Sequence, residues 1–214
     1  MKNLLLFGLV AIALTSCLNE DPGSFQEQKK EYALADFTEL EMSDALQVTV
    51  LYGSNYSVKV EGDRRNIDDL EIRTVGTSLR MRFINDGRGY RQYKTYVTVT
   101  MPSLKGASFS GAIKSSVSGF TANEDMWIKL SGASKLDLAG SVKRFDAELS
   151  GASELYAFTF ESESALITAS GASRVEVLAT QELKANASGA SKIRYRGNPQ
   201  LTANASGASF IGAD

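Results

Sequence analysis

The chain has 214 residues, a net charge of −2, a single cysteine and no histidine. This length allows one substantial domain or one elongated repeat body, and the lack of a basic surplus disfavours nucleic acid as a partner. Without histidine, the Ser-His-Asp and Cys-His catalytic systems are excluded, most transition-metal sites lose their usual ligands, and we expect no cofactor.

The first seventeen residues have the features of an export signal. Lys2 precedes an apolar run over residues 4–14, which is shorter than the roughly 20 residues that a membrane-spanning helix needs. The string Leu14-Thr15-Ser16-Cys17 resembles the bacterial lipobox, in which the cysteine becomes the acylated first residue of the mature protein. We therefore predict a lipoprotein signal peptide over residues 1–17 and a lipid anchor, such as palmitate, on Cys17; an ordinary signal peptide with an incidental cysteine is the alternative.

Residues 18–34 are polar and charged and show no sustained periodicity, so we predict a flexible tether. Glu20 and Asp21, close behind Cys17, resemble the surface-export signal of Bacteroidetes lipoproteins. The prediction is an outer-membrane lipoprotein that is either exposed at the surface or faces the periplasm.

Residues 35–104 read as a series of short leading strands that open a domain extending over residues 35–214. Polar and apolar residues alternate at period two over four segments, which are 45–50, 56–60, 79–83 and 96–100. Gly53-Ser54-Asn55 predicts a hairpin-type turn, residues 66–70 one helical turn and residues 85–89 a loop.

Residues 105–214 repeat. The string Ser-Gly-Ala recurs at a spacing of 18 to 21 residues, and a further Ser follows it in the last five copies; the copies begin at Ser110, Ser131, Ser150, Ser170, Ser188 and Ser206. Positions at odd offsets from the first Ser are apolar and those at even offsets are mostly polar, which indicates strands with one buried face. Such repeats stack to bury a shared core, and the sequence predicts an all-β, right-handed, single-stranded β-helix-like solenoid.

The repeats also predict which residues pair between coils and which tetrad residues face the core. In-register stacking would place Lys135 beside Glu154, Glu154 beside Arg174, and Glu176 beside Arg194. Within each tetrad, the alternation predicts that Gly and the second Ser face inward, while the first Ser and Ala face outward in a tight, small-residue corner.

The tetrads and their surroundings resemble the head GIN domain family of auto-transporter adhesins, which is common in Bacteroidetes lipoproteins. The resemblance extends from about Phe37 to the C-terminus and includes Met101-Pro102-Ser103-Leu104 before the repeats and Tyr195-Arg196-Gly197-Asn198-Pro199 between the last two tetrads. The first tetrad departs from the pattern because Ile113 replaces its second Ser. The resemblance implies a right-handed β-helix at the cell surface and an adhesive role.

Paired carboxylates are the remaining route to catalysis. Asp146 and Glu148 share one outward face of a predicted strand, and Asp137 and Glu176 share a stack two coils apart; such separations suit acid/base pairs in glycan cleavage. Charged residues on a solvated face are the competing interpretation. A calcium site at Asp68, Asp69 and Glu71 lacks EF-hand spacing, so we predict no metal site and no catalytic residue.

The aromatic residues are candidate platforms for sugars, with Trp127 and Tyr156 facing outward, Tyr195 inward and Tyr90, Tyr93 and Tyr96 in a cluster. The outward Ser and Ala of the tetrads form a second candidate surface, a smooth strip for a partner or a second copy. The candidate surface-binding residues are Trp127, Tyr156, Ser131, Ala133, Ser150, Ala152, Ser170 and Ala172.

These features favour a non-enzymatic adhesion or scaffold module. The alternative is a carbohydrate-binding or polysaccharide-degrading β-helix of the pectinase-like kind. The expected partners are the membrane, through the lipid anchor, and a surface macromolecule or glycan. The last coil, near Ile211, leaves an open sheet edge, so we expect either the N-terminal strands to fold back over part of the stack or chains to associate at this edge as a homo-oligomer.

Overall fold

The computed structural model describes residues 23–85 and 93–214. The predicted signal peptide, Cys17 and most of the loop at 85–89 therefore lie outside the described residues. No helix within the described part is long and apolar enough to cross a membrane. The elements are β1 (Glu27–Tyr32), β2 (Glu39–Met42), β3 (Leu46–Tyr52), β4 (Ser57–Asp63), α1 (Arg64–Asp68), β5 (Leu70–Val75), β6 (Ser78–Phe83), β7 (Thr95–Met101), β8 (Gly106–Phe109), β9 (Lys114–Leu130), β10 (Lys135–Leu149), β11 (Glu154–Ala169), β12 (Arg174–Ala187), β13 (Lys192–Arg196), β14 (Gln200–Ala205) and β15 (Phe210–Ala213).

The repeats form a β-solenoid of about five turns, which confirms the predicted fold class. Strands β9 to β12 pair in parallel with their neighbours, and each contributes its first half to one face and its second half to another. We call the face built from β5, β6, β2, β8, the second halves of β9–β12 and β14 the Trp127 face. The face built from β1, β4, β7, β3, the first halves of β9–β12, β13 and β15 is the Tyr156 face.

The predicted register is confirmed residue by residue. Lys135 pairs with Glu154, Glu154 with Arg174, and Glu176 with Arg194. Inward positions stack in the same way, and Leu136, Leu155, Val175 and Ile193 form one fully buried column. Burial of apolar area against the neighbouring coil, at about 25 cal/mol per Å², is therefore the main stabilising contribution along the stack.

The second Ser of each tetrad faces inward, as predicted. Ser134, Ser153, Ser173 and Ser191 are buried, and each hydroxyl donates a hydrogen bond of 2.7 to 2.9 Å to the carbonyl of the first Ser in its own tetrad. This bond closes the corner and satisfies a polar group that would otherwise be buried without a partner. In the first tetrad Ile113 fills the same position and is fully buried.

The inward prediction for the tetrad Gly is wrong, because Gly132, Gly151, Gly171 and Gly189 are exposed at the turn. Each has φ near +73°, the left-handed conformation that interrupts strict alternation. The following Ala donates its N–H to the carbonyl of the previous tetrad's Gly, for example from Ala152 to Gly132 over 2.7 Å. The corner glycines therefore lie above one another along the outer edge of the stack.

The leading strands belong to the same solenoid instead of forming a separate part. Strand β2 lies between β6 and β8, and β3 lies between β7 and β9. The coil β2–β3 is thus inserted between two coils that follow it in the sequence. The turn at Gly53 does not make a hairpin, since β3 and β4 both pair with β7 and lie on opposite sides of it.

The predicted tether is wrong over residues 27–32, which form β1 and pair antiparallel with β4. A strand at the edge of an antiparallel sheet can form with few apolar residues, because part of its surface faces water. The segment before β1 is also fixed: the buried carboxylate of Asp63 accepts hydrogen bonds from the backbone of Gln26 and from Arg65, which holds its pKa well below the ordinary value. Asp63 also caps α1, which lies two residues earlier than the helical turn predicted at 66–70.

The N-terminal strands cover the opposite end of the stack from the last coil. Strand β1 is at one end of the sheet order and β15 is at the other. These strands therefore cover part of the stack but leave the last coil open.

Replacing a corner glycine tests the stacking. A Cβ on Gly151 would lie 2.5 Å from the carbonyl oxygen of Gly132, and the left-handed φ adds strain. We expect Gly151→Ala to lower the free energy of unfolding in urea by about 1–3 kcal/mol. The neighbouring exposed change Ala152→Ser should stay within about 0.5 kcal/mol of the parent; equal effects of the two substitutions would contradict this account of the corner.

Candidate functional site

The main candidate site lies at the middle of the Trp127 face. One outward column of this face runs through consecutive strands, with Gly106 in β8, Trp127 in β9, Asp146 in β10, Leu166 in β11 and Lys184 in β12. Parallel strands are about 4.8 Å apart, so neighbouring side chains of the column are in reach of one another. An aromatic ring, a carboxylate and an aliphatic side chain therefore occur in succession on the surface.

Trp127 is outward and partly exposed, as predicted, and its ring lies over Gly106. A side chain on Gly106 would collide with the indole, so the glycine allows the ring to lie flat against the sheet. A flat ring has one face covered by backbone and the other available to a ligand. Trp127 thus covers the backbone of β8 at Gly106 and keeps part of its ring exposed.

Asp146 is exposed beside Trp127, and within the described part of the chain its carboxylate has no hydrogen-bond or ion-pair partner. Partial burial raises the pKa of Asp146. The positive charge of Lys129 lowers this pKa, and the negative charge of Glu148 raises it further. Glu148, two residues along the same strand, is instead paired with Lys129 at 3.3 Å. Asp146 is therefore the acceptor left unpaired at the centre of the face.

Two shallow grooves meet at Trp127. One, of about 540 Å³, is lined on its far side by Leu40, Glu41 and Ser108; the other, of about 430 Å³, extends toward Leu166 and Lys184. Trp127 and Asp146 line both. The two grooves are therefore adjacent and share Trp127 and Asp146 as their common wall.

Sequence reasoning missed Leu166 and Gly106 as members of this site. Leu166 has 40% of its surface exposed and occupies the same even offset in its repeat as Trp127 does in its own. Trp127 and Leu166 are large and apolar at an offset that is polar in most repeats, and this departure from the repeat can be detected in the sequence. Gly106 could not be found this way, since it lies outside the tetrads and its role depends on the pairing of β8 with β9.

Tyr156, the other outward aromatic candidate, lies on the Tyr156 face and not near Trp127. Its ring lies between Lys135, whose Nζ is 4.3 Å from the ring centre, and Arg174 at 5.6 Å. Its hydroxyl donates to Glu154 over 2.9 Å, and burial is the main cause of its raised pKa. These contacts already use the ring and the hydroxyl, which makes Tyr156 a poorer platform.

The other predicted carboxylate pairs do not form a common site. Tyr156 lies in the column between Asp137 and Glu176. Among the acidic residues considered and rejected as a calcium site, Asp68 pairs with Arg64, and Glu71 pairs with Arg82 and Arg73. No group of three potential metal ligands occurs among residues 23–85 and 93–214.

The remaining aromatic candidates are dispersed. Tyr90 lies outside the described residues. Tyr93 is engaged in the fold, where its hydroxyl donates to the carbonyl of Gly23 over 2.8 Å and its ring contacts Phe25. Tyr96 is half exposed on the Tyr156 face, and Tyr195 packs against the core, as its inward offset predicted.

The small-residue strip is a continuous ridge along the corner. Its alanines are exposed and its first serines are half-buried; these candidates are Ala133, Ala152, Ala172, Ser131, Ser150 and Ser170. Ser170 donates its hydroxyl to the carbonyl of Leu149 within the fold. These six residues carry no charged side chain, so the ridge would contact a partner through its shape and its small polar groups.

Comparison with known proteins identifies relatives of the whole fold. The family described as putative auto-transporter adhesin, head GIN domain, matches residues 36–199. A crystal structure of a putative adhesin from Bacteroides fragilis is similar with a TM-score of 0.71 at 16% identity, covering 89% of this chain and 98% of that one.

Two structures from Parabacteroides distasonis are similar as well. A putative adhesin has a TM-score of 0.56 at 17% identity, covering 90% of this chain and 98% of that one. A putative lipid binding protein has a TM-score of 0.52 at 16% identity, covering 88% and 97%. At these identities the likeness concerns the fold alone, and no curated protein matches the chain.

Titration of Asp146 tests the local environment of the site. Trp127 is the only tryptophan, so its fluorescence reports on the neighbouring carboxylate. Because burial disfavours the charged form, the native state holds this proton more tightly than the unfolded chain does. We expect an emission change with a midpoint above the ordinary pKa of aspartate, about 3.9.

Asp146→Asn should abolish this transition, and Asp137→Asn, on the other face, should leave it unchanged. A midpoint at or below the ordinary value, or a transition that persists in Asp146→Asn, would show that Asp146 is not held as described.

Proposed function

Because this chain belongs to the head GIN domain family of putative auto-transporter adhesins, we propose that it is a non-enzymatic adhesion module at the cell surface whose ligand-contacting surface is the Trp127 face. The observation that carries this proposal is the flat indole beside an unpaired carboxylate at the meeting point of two grooves. The proposed anchor is the lipid on Cys17 of an outer-membrane lipoprotein. The described fold begins at the capped end of the stack, so such an anchor leaves the faces of the solenoid free.

The chemistry of the face suits a glycan. Sugar rings present C–H groups that pack on an indole, and hydroxyls that donate to carboxylates and accept from ammonium groups. Trp127, Asp146 and Lys129 supply these three kinds of contact within neighbouring strands. The two open grooves would admit an extended saccharide without enclosing it, which suits binding without catalysis.

Binding to an array of neutral and acidic oligosaccharides tests this function. We expect retention of at least one glycan class and a loss of about fivefold or more in affinity for Trp127→Ala, because aromatic stacking contributes about 1 kcal/mol beyond simple burial. Tyr156→Ala, a partly exposed aromatic on the other face, is the matched control and should bind as the parent does. The absence of any bound glycan, or equal binding by Trp127→Ala, would exclude this surface as the contact.

Polysaccharide cleavage is the second candidate, and one observation favours it. Asp146 and Glu148 are two residues apart on one strand, which places their Cα atoms about 6.6 Å apart, and the pKa of Asp146 is raised while Glu148 is held by a cation. Two carboxyl groups on one face, one of them with a raised pKa, are the kind of pair that glycoside hydrolysis uses. Both side chains are exposed, however, and an open surface does not exclude water from the reacting groups.

Release of reducing ends from acidic polysaccharides such as pectin distinguishes the two candidates. The adhesion proposal expects no release above background, with Asp146→Asn indistinguishable from the parent. Cleavage that is lost in Asp146→Asn, with the fold retained by circular dichroism, would establish the enzyme instead.

A further inference from the structure

The last coil exposes apolar residues that every inner coil buries. Among the described residues, β14 pairs only with β12 and β15 only with β13. Leu201 has 40% of its surface exposed, whereas Leu183, its stacking neighbour in the coil before, is fully buried. Phe210 is also 50% exposed, but it lies on the outer face, where it continues the column of Lys192 in the coil before. The last coil therefore exposes to solvent the surface that each inner coil buries against the next coil.

This edge also lacks the charges that normally protect a sheet edge. Residues 200–213, which include β14 and β15, contain no Asp, Glu, Lys or Arg, and the next residue, Asp214, is ion-paired with Arg194 and Arg196 of the coil before. The equivalent outward positions of the three preceding coils carry Arg144, Glu182 and Lys184 among others. Natural edge strands are blocked by charged side chains, most often Lys, because the unpaired N–H and C=O groups otherwise recruit another strand. Here nothing on the strand opposes such pairing.

The opposite end of the stack is unsuitable as a partner for this edge. Its outer strand β1 has four charged residues out of six, Glu27, Lys29, Lys30 and Glu31, and β5 on the other face carries Glu71 and Arg73. Head-to-tail stacking would place these charges against an uncharged, apolar coil and partly desolvate them. A neutral edge is complemented best by another neutral edge.

We propose that the coil formed by β14 and β15 is a docking surface for the same coil of a second copy of this chain, with the two solenoids joined tail to tail about a twofold axis. In such an isologous contact one uncharged edge strand pairs antiparallel with itself, and Leu201 of both copies leaves water. Asn204 supports continuation of the stack, since its amide donates to Asn186 in the coil below over 3.1 Å. This inference is independent of the glycan surface and stands whether or not the Trp127 face binds sugar.

Sedimentation velocity of the full chain carrying Cys17→Ala, which removes both the lipid and the only thiol, tests the proposal. We expect a concentration-dependent monomer–dimer equilibrium. Thr202→Lys places like charges across the twofold contact and should weaken the dimer about tenfold or more. Thr168→Lys makes the identical change on an inner coil of the same face and is the matched control, expected to dimerise as the parent does.

A cross-link identifies the surface directly. In the Cys17→Ala background, Thr202→Cys introduces one thiol per chain at the proposed contact, and a short bismaleimide should link two copies through this residue. Lys29→Cys, at the charged end, should give no such product. A parent that sediments as a monomer at every concentration overturns the proposal, as does a dimer that resists Thr202→Lys or cross-links through Lys29→Cys, which would indicate another partner for the edge.

Discussion

The structure depends on one contact, the close approach of successive corner glycines. Each corner Gly is in the left-handed conformation, and its carbonyl accepts the N–H of the Ala one coil later at 2.7 to 2.8 Å. A side chain at any of these positions would meet the backbone of the coil below. Small residues at the corner therefore set the distance between coils, and the inward Ser closes each turn from the core side by bonding to the first Ser of its tetrad.

Fixing the corners also fixes the outward columns. Because every coil restarts at the same point, a residue at a given offset lies beside the residue at that offset in the next coil, and Trp127, Asp146 and Leu166 become neighbours although about twenty residues separate each from the next. A single substitution at one offset is then enough to change the chemistry of a face. The scaffold is repetitive, while the candidate site is made by the few positions that break the repeat.

The repeat period and the polar alternation were sufficient to predict the solenoid, its register and the outward position of Trp127. The inward assignment of the tetrad Gly failed because strict alternation does not hold through a left-handed residue, and φ is not visible in the alternation itself. The insertion of β2–β3 between later coils could not be predicted, since its local pattern is equally compatible with other orders of pairing. Strand β1 was missed because an edge strand with polar residues on both sides resembles a tether.

The two ends of the stack differ in a way that gives the molecule a direction. At one end, strands β1 and β5 present charges, and Asp63 with Arg65 fixes the segment that leads toward the proposed anchor. At the other end, the coil of β14 and β15 is neutral and partly apolar. With strands about 4.8 Å apart, the ten strands of the Tyr156 face hold these ends roughly 40 Å apart. A chain anchored at its charged end would therefore present its neutral edge at the tip farthest from the membrane, where a second copy on an opposing surface can meet it.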